Sequence, residues 1–206
     1  MIIVGNLLRF FKSATNSEKV GVANRTNHQK NNPITELNCL IKQSLIKISL
    51  ASWEEQAELR ANLLAGYLLH FSEAELLDTF SEIYLDEGSD KECKKQTALC
   101  LNTVLHKLDN KELHGYISDE ANHSLARKWA VHELIERKDT TANLAFIYRV
   151  IVDNDDTDVR KAAAFALGEL GGEAILQPLE NVQADDPIYE EVQEAIEKIN
   201  QKLGRK

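Results

Sequence analysis

From Pro33 onward, apolar residues recur at spacings of three and four, a pattern that predicts one amphipathic helix after another. Ile34, Leu37, Leu40, Ile41, Leu45, Ile46 and Ile48 open the series and give the first helix a greasy face and a wet one. No stretch alternates polar and apolar for long enough to predict a strand. Helix starts carry recognisable chemistry. Ser52-Trp-Glu-Glu55 and Ser72-Glu-Ala-Glu75 are capping boxes, in which the serine accepts from an orphan amide and the glutamate reaches back. Asp186-Pro187 predicts a cap with proline at the first helical position. Gly88 and Gly171-Gly172 follow helices, where left-handed stops are expected. Together these signals predict roughly ten helices with short connections.

One of the helices explains the others. The stretch DTDVRKAAAFALGELGG, Asp156 to Gly172, has an aspartate start, alanines along one side and a double-glycine stop. Its Val159, Arg160, Ala163, Ala164 and Leu167 are matched 33 residues earlier by Ala126, Arg127, Ala130, Val131 and Leu134. Another 33 back stand Cys93, Lys94, Thr97, Ala98 and Leu101, and 34 before those Leu59, Arg60, Leu63, Leu64 and Tyr67. A step of 33 forward gives Val192, Gln193, Ile196, Glu197 and Asn200, a match on the inner face only. A fixed period of this length predicts stacked two-helix units, an α-solenoid. Small side chains at Ala162, Ala163 and Ala166 let neighbouring helices approach closely. Glu197, where the other units carry Leu, Ala, Val or Ala, fits an end unit with no successor and a polar outer face.

The run DTDVRKAAAFALGELGGEAILQPLENV resembles the HEAT-like repeat best known from phycobilisome lyases, and the likeness is clearest from Asp156 to Val182. The resemblance implies an all-α HEAT-like α-solenoid of about five two-helix repeats between Ile34 and Leu203, the second helix of each lining a concave surface. It also implies protein binding or, alternatively, a bilin lyase or lyase-like chaperone for phycobiliproteins.

Composition changes this picture in two places. The net charge of −9 is uneven: residues 1–33 hold Arg9, Lys12, Lys19, Arg25 and Lys30 against Glu18, so that segment carries +4 and the remainder −13. An acidic body is a poor general binder of nucleic acid unless one face collects the positive charge. Residues 13–33, poor in large apolar side chains, read as a flexible linker or arm, which makes 1–33 a basic N-terminal arm and 34–206 the repeat domain. The amphipathic start, Ile2 to Phe11, suits contact with a partner or membrane surface, an organellar address, or docking back on the repeats. It lacks a secretory cleavage site and is too short to span a bilayer. Cys39, Cys93 and Cys100 are too few and too irregular for a disulfide framework or zinc site. They read as small buried hydrophobes of a reduced, cytoplasmic protein.

Candidate chemistry concentrates in paired basic residues that recur in register: Lys94-Lys95, Arg127-Lys128 and Arg160-Lys161. Arg127 and Arg160 read as structural, bonding carboxylates in neighbouring turns. Lys95, Lys128 and Lys161 are then the partner-binding candidates, joined by Trp129, the bulky departure in a column held elsewhere by Ala162 and Ala195. His132-Glu133 resembles the dyads that hold iron in deoxyhypusine hydroxylase, but steps of 33 meet Leu99-Cys100 and Phe165-Ala166, so no metal site is expected. The acidic run Asp153 to Asp158 begins like a calcium loop, yet Asp158 and Ala164 stand where that loop needs glycine and glutamate, which leaves helix capping by Asp155 or Asp156. No nucleophile motif or phosphate-binding glycine loop is present, and no cofactor is expected. The sequence thus predicts a non-enzymatic adaptor or assembly factor whose partner is an unidentified protein, with nucleic acid the weaker alternative.

Overall fold

The computed structural model describes residues 33–137 and 140–205, so the expected basic arm, apart from Pro33, lies outside the described residues. Ten α-helices occupy them: α1 (Pro33–Ser49), α2 (Trp53–Tyr67), α3 (Glu73–Leu85), α4 (Lys91–Lys107), α5 (Asn110–Ser118), α6 (Ser124–Ile135), α7 (Thr140–Asp153), α8 (Thr157–Leu170), α9 (Glu173–Glu180) and α10 (Tyr189–Lys202). No strand occurs among the described residues, and the helices pack pairwise, as the all-α HEAT-like reading expects. None of these helices is long and apolar enough to cross a membrane.

The chain divides into two compact units, residues 1–100 and 101–206. In the first unit α1 lies against α2 and α3. Its core is Ile41, Leu45 and Ile48 from α1, Leu63, Leu64 and Tyr67 from α2, Leu76, Leu77, Phe80 and Ile83 from α3, and Cys93 and Cys100 from α4. Both predicted capping boxes are formed, at Ser52 with Glu55 and at Ser72 with Glu75. Asn38 donates to Glu82 at 2.7 Å, and Arg60 donates to the buried Gln96 at 2.7 Å, tying α1 to α3 and α2 to α4. Two expectations need correcting here. Ile46 is exposed, because the packed face of α1 runs through Ile41, Leu45 and Ile48. Cys39 is exposed too, its sulfur accepting from the Gln43 amide at 3.5 Å, while Cys93 and Cys100 are buried as expected.

The second unit has two layers. Helices α6, α8 and α10 lie side by side, with α8 in contact with both neighbours, while α5, α7 and α9 pack on α6, α8 and α10. Register positions Val159, Ala163, Ala164 and Leu167, and Ala126, Ala130, Val131 and Leu134, are all buried. In α10 Val192, Ala195, Ile196 and Ile199 are buried while Glu197 is exposed, which gives the last unit its wet outer face. Full burial of Leu167 contributes roughly 2 kcal/mol.

Glycine contributes in a different way from the predicted one. Gly171 has φ −68° and ψ 155°, extended backbone and not a left-handed stop. Gly204 is the one glycine with positive φ among the described residues, and Gly88 closes an aspartate turn in which its amide donates to Asp86 Oδ1 at 3.1 Å. What Gly171 supplies is room. A Cβ there would collide with the Leu167 carbonyl oxygen and come within 3.0 Å of Ile199 Cδ1. One turn earlier, a Cβ on Gly168 would stand 3.1 Å from the Ala195 Cα, so α8 and α10 touch almost backbone to backbone.

The start of the last helix also differs. Helix α10 begins at Tyr189, two residues beyond Pro187, and no side chain caps it at Ile188. Asp186 instead closes the preceding turn, its Oδ1 accepting from the Ile188 amide at 3.1 Å.

Candidate partner-binding surface

The first member of each basic pair in the second unit is structural. Arg127, only 2% exposed, donates from Nε to the Ile117 carbonyl at 2.9 Å and from a terminal nitrogen to Asn154 Oδ1 at 2.9 Å; Asp155 lies at 3.9 Å. Arg160 repeats the geometry one unit on, with Nε 2.7 Å from the Ile151 carbonyl and a terminal nitrogen 2.6 Å from Asp186. Each guanidinium therefore closes its own hairpin and grips the turn between the two helices of the next one. A planar fork suits two acceptors held at fixed angles, which a lysine cannot supply.

Two residues of the acidic run between α7 and α8, Asn154 and Asp156, are engaged by hydrogen bonds. Asn154 accepts from Arg127 and from the Asp156 amide, and Asp156 caps α8 by accepting from Asp158 and Val159 at 2.9 and 3.1 Å. Burial pushes the Asp156 carboxyl up, but the Ser124 hydroxyl, the two capped amides and the Arg127 charge together hold it below its ordinary range. Among the described residues, no three His, Cys, Asp or Glu side chains converge on a metal-sized site.

The second members are distributed unevenly. Lys161 bonds Glu191 of α10 at 2.6 Å, and each charge favours the ionised form of the other. Lys95, in the first unit, faces Glu92 at 3.7 Å with both side chains about half exposed. Lys128 makes no ion pair among the described residues, so it is the column lysine whose charge stays open. Trp129, its neighbour on α6, is half-buried.

Around Lys128 and Lys161 the structure assembles a feature that the sequence reading missed. The His132 ring lies 5.5 Å from the Phe165 ring, centroid to centroid and tilted by 58°, and Lys198 Nζ stands 5.2 Å over the same Phe165 ring. His132, Phe165 and Lys198 come from α6, α8 and α10 and lie 33 residues apart, one column of the same register. The signal that finds them is the same step of 33, read for a shared face of the layer instead of for metal ligands. Phe165 is 48% exposed, unusual for so large an apolar side chain in a helix centre. Burial, with help from the Lys128 charge, lowers the His132 pKa, so the ring stays neutral near physiological pH. Glu133, its partner in the predicted dyad, turns away to accept from Arg137 at 3.0 Å and meet His106 at 3.1 Å.

The remaining histidines also have partners that sequence could not name. His123 caps α6, its Nδ1 accepting from the Leu125 amide at 3.1 Å. His114 stacks on Phe146 at 3.9 Å and meets Asn143 Oδ1 at 3.1 Å. Because the buried Asn143 amide donates to the Leu134 carbonyl, its oxygen must face His114, which places the imidazole proton on Nε2. This stack floors an open groove of about 410 Å³ between α5 and α7, with Arg149 at its rim.

No curated protein and no solved structure matches the chain. Residues 113–200, from α5 to α10, match the family model for HEAT repeats.

Proposed function

We propose that the chain is a non-enzymatic adaptor or assembly factor that binds a partner protein through the exposed face of α6, α8 and α10. This layer holds the second helices of the hairpins, the side that the repeat resemblance makes concave. Lys128, Trp129 and Lys161 are contact residues there, and Lys95 is a separate candidate contact on the first unit. The observation that carries the reading is the ladder His132–Phe165–Lys198, with an aromatic ring left half exposed at its centre. Exposed aromatic anchors dominate interface energetics, while most surrounding contacts are close to neutral. The HEAT repeats of residues 113–200 support a protein as partner.

Affinity capture followed by titration of the captured protein tests this reading. Phe165→Ala and Trp129→Ala should each weaken binding at least tenfold in protein that still unfolds cooperatively. Retention unchanged in both variants would overturn it. The lyase alternative has its own readout, because a lyase mixed with bilin and an acceptor phycobiliprotein gives a coloured adduct.

A further inference from the structure

In the second unit the arginine column is closed, by Arg127 on the Ile117 carbonyl and by Arg160 on the Ile151 carbonyl. One period earlier, in the first unit, that column holds Lys94. Its ammonium makes no hydrogen bond or ion pair among the described residues. Beside it lies an open groove of about 510 Å³ lined by Tyr84, Ser89, Lys91, Lys94, Lys95 and Ala98. Tyr84 precedes Lys94 by ten residues, as Ile117 precedes Arg127, so the groove opens where a guanidinium closes the later units.

The lining of this groove contains three ammonium groups and no carboxylate. Lys91, Lys94 and Lys95 fall at helical neighbours on α4, where like charges repel. Among the described residues these lysines make one ion pair, Lys95 with Glu92 at 3.7 Å, a half-exposed pair that can be exchanged at little cost. Tyr84 and Ala98 add apolar surface between the charges.

We propose that this groove binds a short acidic segment of a partner protein, two or three of its carboxylates meeting Lys91, Lys94 and Lys95 and an apolar side chain resting on Tyr84 and Ala98. Nucleic acid fits less well. It carries a phosphate at every step along its length, whereas the three lysines are local and the chain beyond residue 33 has a net charge of −13. The inference rests on the reading above only in taking the partner to be a protein.

Fluorescence polarisation of the full chain with a labelled peptide Glu-Glu-Phe-Glu-Glu tests the groove, beside the same peptide with glutamine for glutamate and a labelled single-stranded oligonucleotide. Saturable binding of the acidic peptide alone is expected, weakened at least tenfold by Lys94→Glu and equally by the double change Lys91→Gln with Lys95→Gln. Lys94→Arg keeps the charge but allows the guanidinium to close onto the end of α3, as Arg127 does on α5, so it should also bind several-fold more weakly. Absence of peptide binding, equal binding of the oligonucleotide, or parental affinity in either the Lys94→Arg or the folded Lys94→Glu protein would overturn the proposal. A partner captured through Phe165 and Trp129 alongside a silent peptide assay would remove this inference and leave the proposed function in place.

Discussion

Asp186 Oδ2 lies 2.6 Å from a terminal nitrogen of Arg160, across the turn that leads into the last helix. The Arg160 hydrogen bond, more than the opposing effect of burial, holds the Asp186 carboxyl below its ordinary 3.8. A depressed carboxyl stabilises the folded state at neutral pH, because the unfolded chain takes up the proton first as acid is added. The contribution is therefore complete above the ordinary value and disappears as pH falls through the lowered one. Asp186→Ala should cost about 1–3 kcal/mol at pH 7. Denaturant melts of parent and variant should converge in strong acid; a gap that stays constant with pH would show that the ion pair carries none of it.

The contact of α8 with α10 gives a second prediction. Gly171→Ala forces a methyl group against the Leu167 carbonyl, an atom of helix backbone that cannot turn aside, and against Ile199. Overpacking of this kind costs about 1–3 kcal/mol. Since Gly171 has ordinary extended dihedrals, relief of chain entropy on going to alanine should be visible if the collision were absent. A lowered thermal midpoint for Gly171→Ala is the expected result, and a raised one would mean that the backbone at the end of α8 shifts to relieve the collision.

His132 offers a third. Its pKa is lowered first by burial and second by Lys128 on the adjacent turn. Lys128→Gln should raise the His132 pKa measured by NMR titration, without restoring it to the ordinary value, because burial remains. The sign for stability follows. A histidine depressed in the fold contributes full stability above about 6.5 and loses it as the pH drops through the lowered value. His132→Gln should flatten that part of the stability profile.

How much of this was legible in the sequence depends on how local the cause was. The boxes at Ser52 and Ser72 were readable because both partners lie three residues apart, and a third box of the same form, Asp109 with Glu112, was equally readable and went unnoticed. The register of Val159 and Ala126 was readable because α6 and α8 bury the same positions. The stop at Gly171 was misread because two different needs, a left-handed φ and space for a neighbour, leave the same residue in the sequence. The exposure of Cys39 and Ile46 depends on which face of α1 its neighbours cover, and a period alone does not record that. Of the site, Lys128 and Lys161 were found from spacing, but only geometry separates the open charge of Lys128 from the paired charge of Lys161.

The grip of Arg127 on Asn154 and of Arg160 on Asp186 gives the C-terminal unit a direction, since each hairpin is fastened by a side chain that belongs to its successor. Shortening the chain from its end would thus loosen the hairpin left standing, even though every atom of that hairpin was kept. Damage would spread toward the N-terminus, like a zip whose last tooth has been cut.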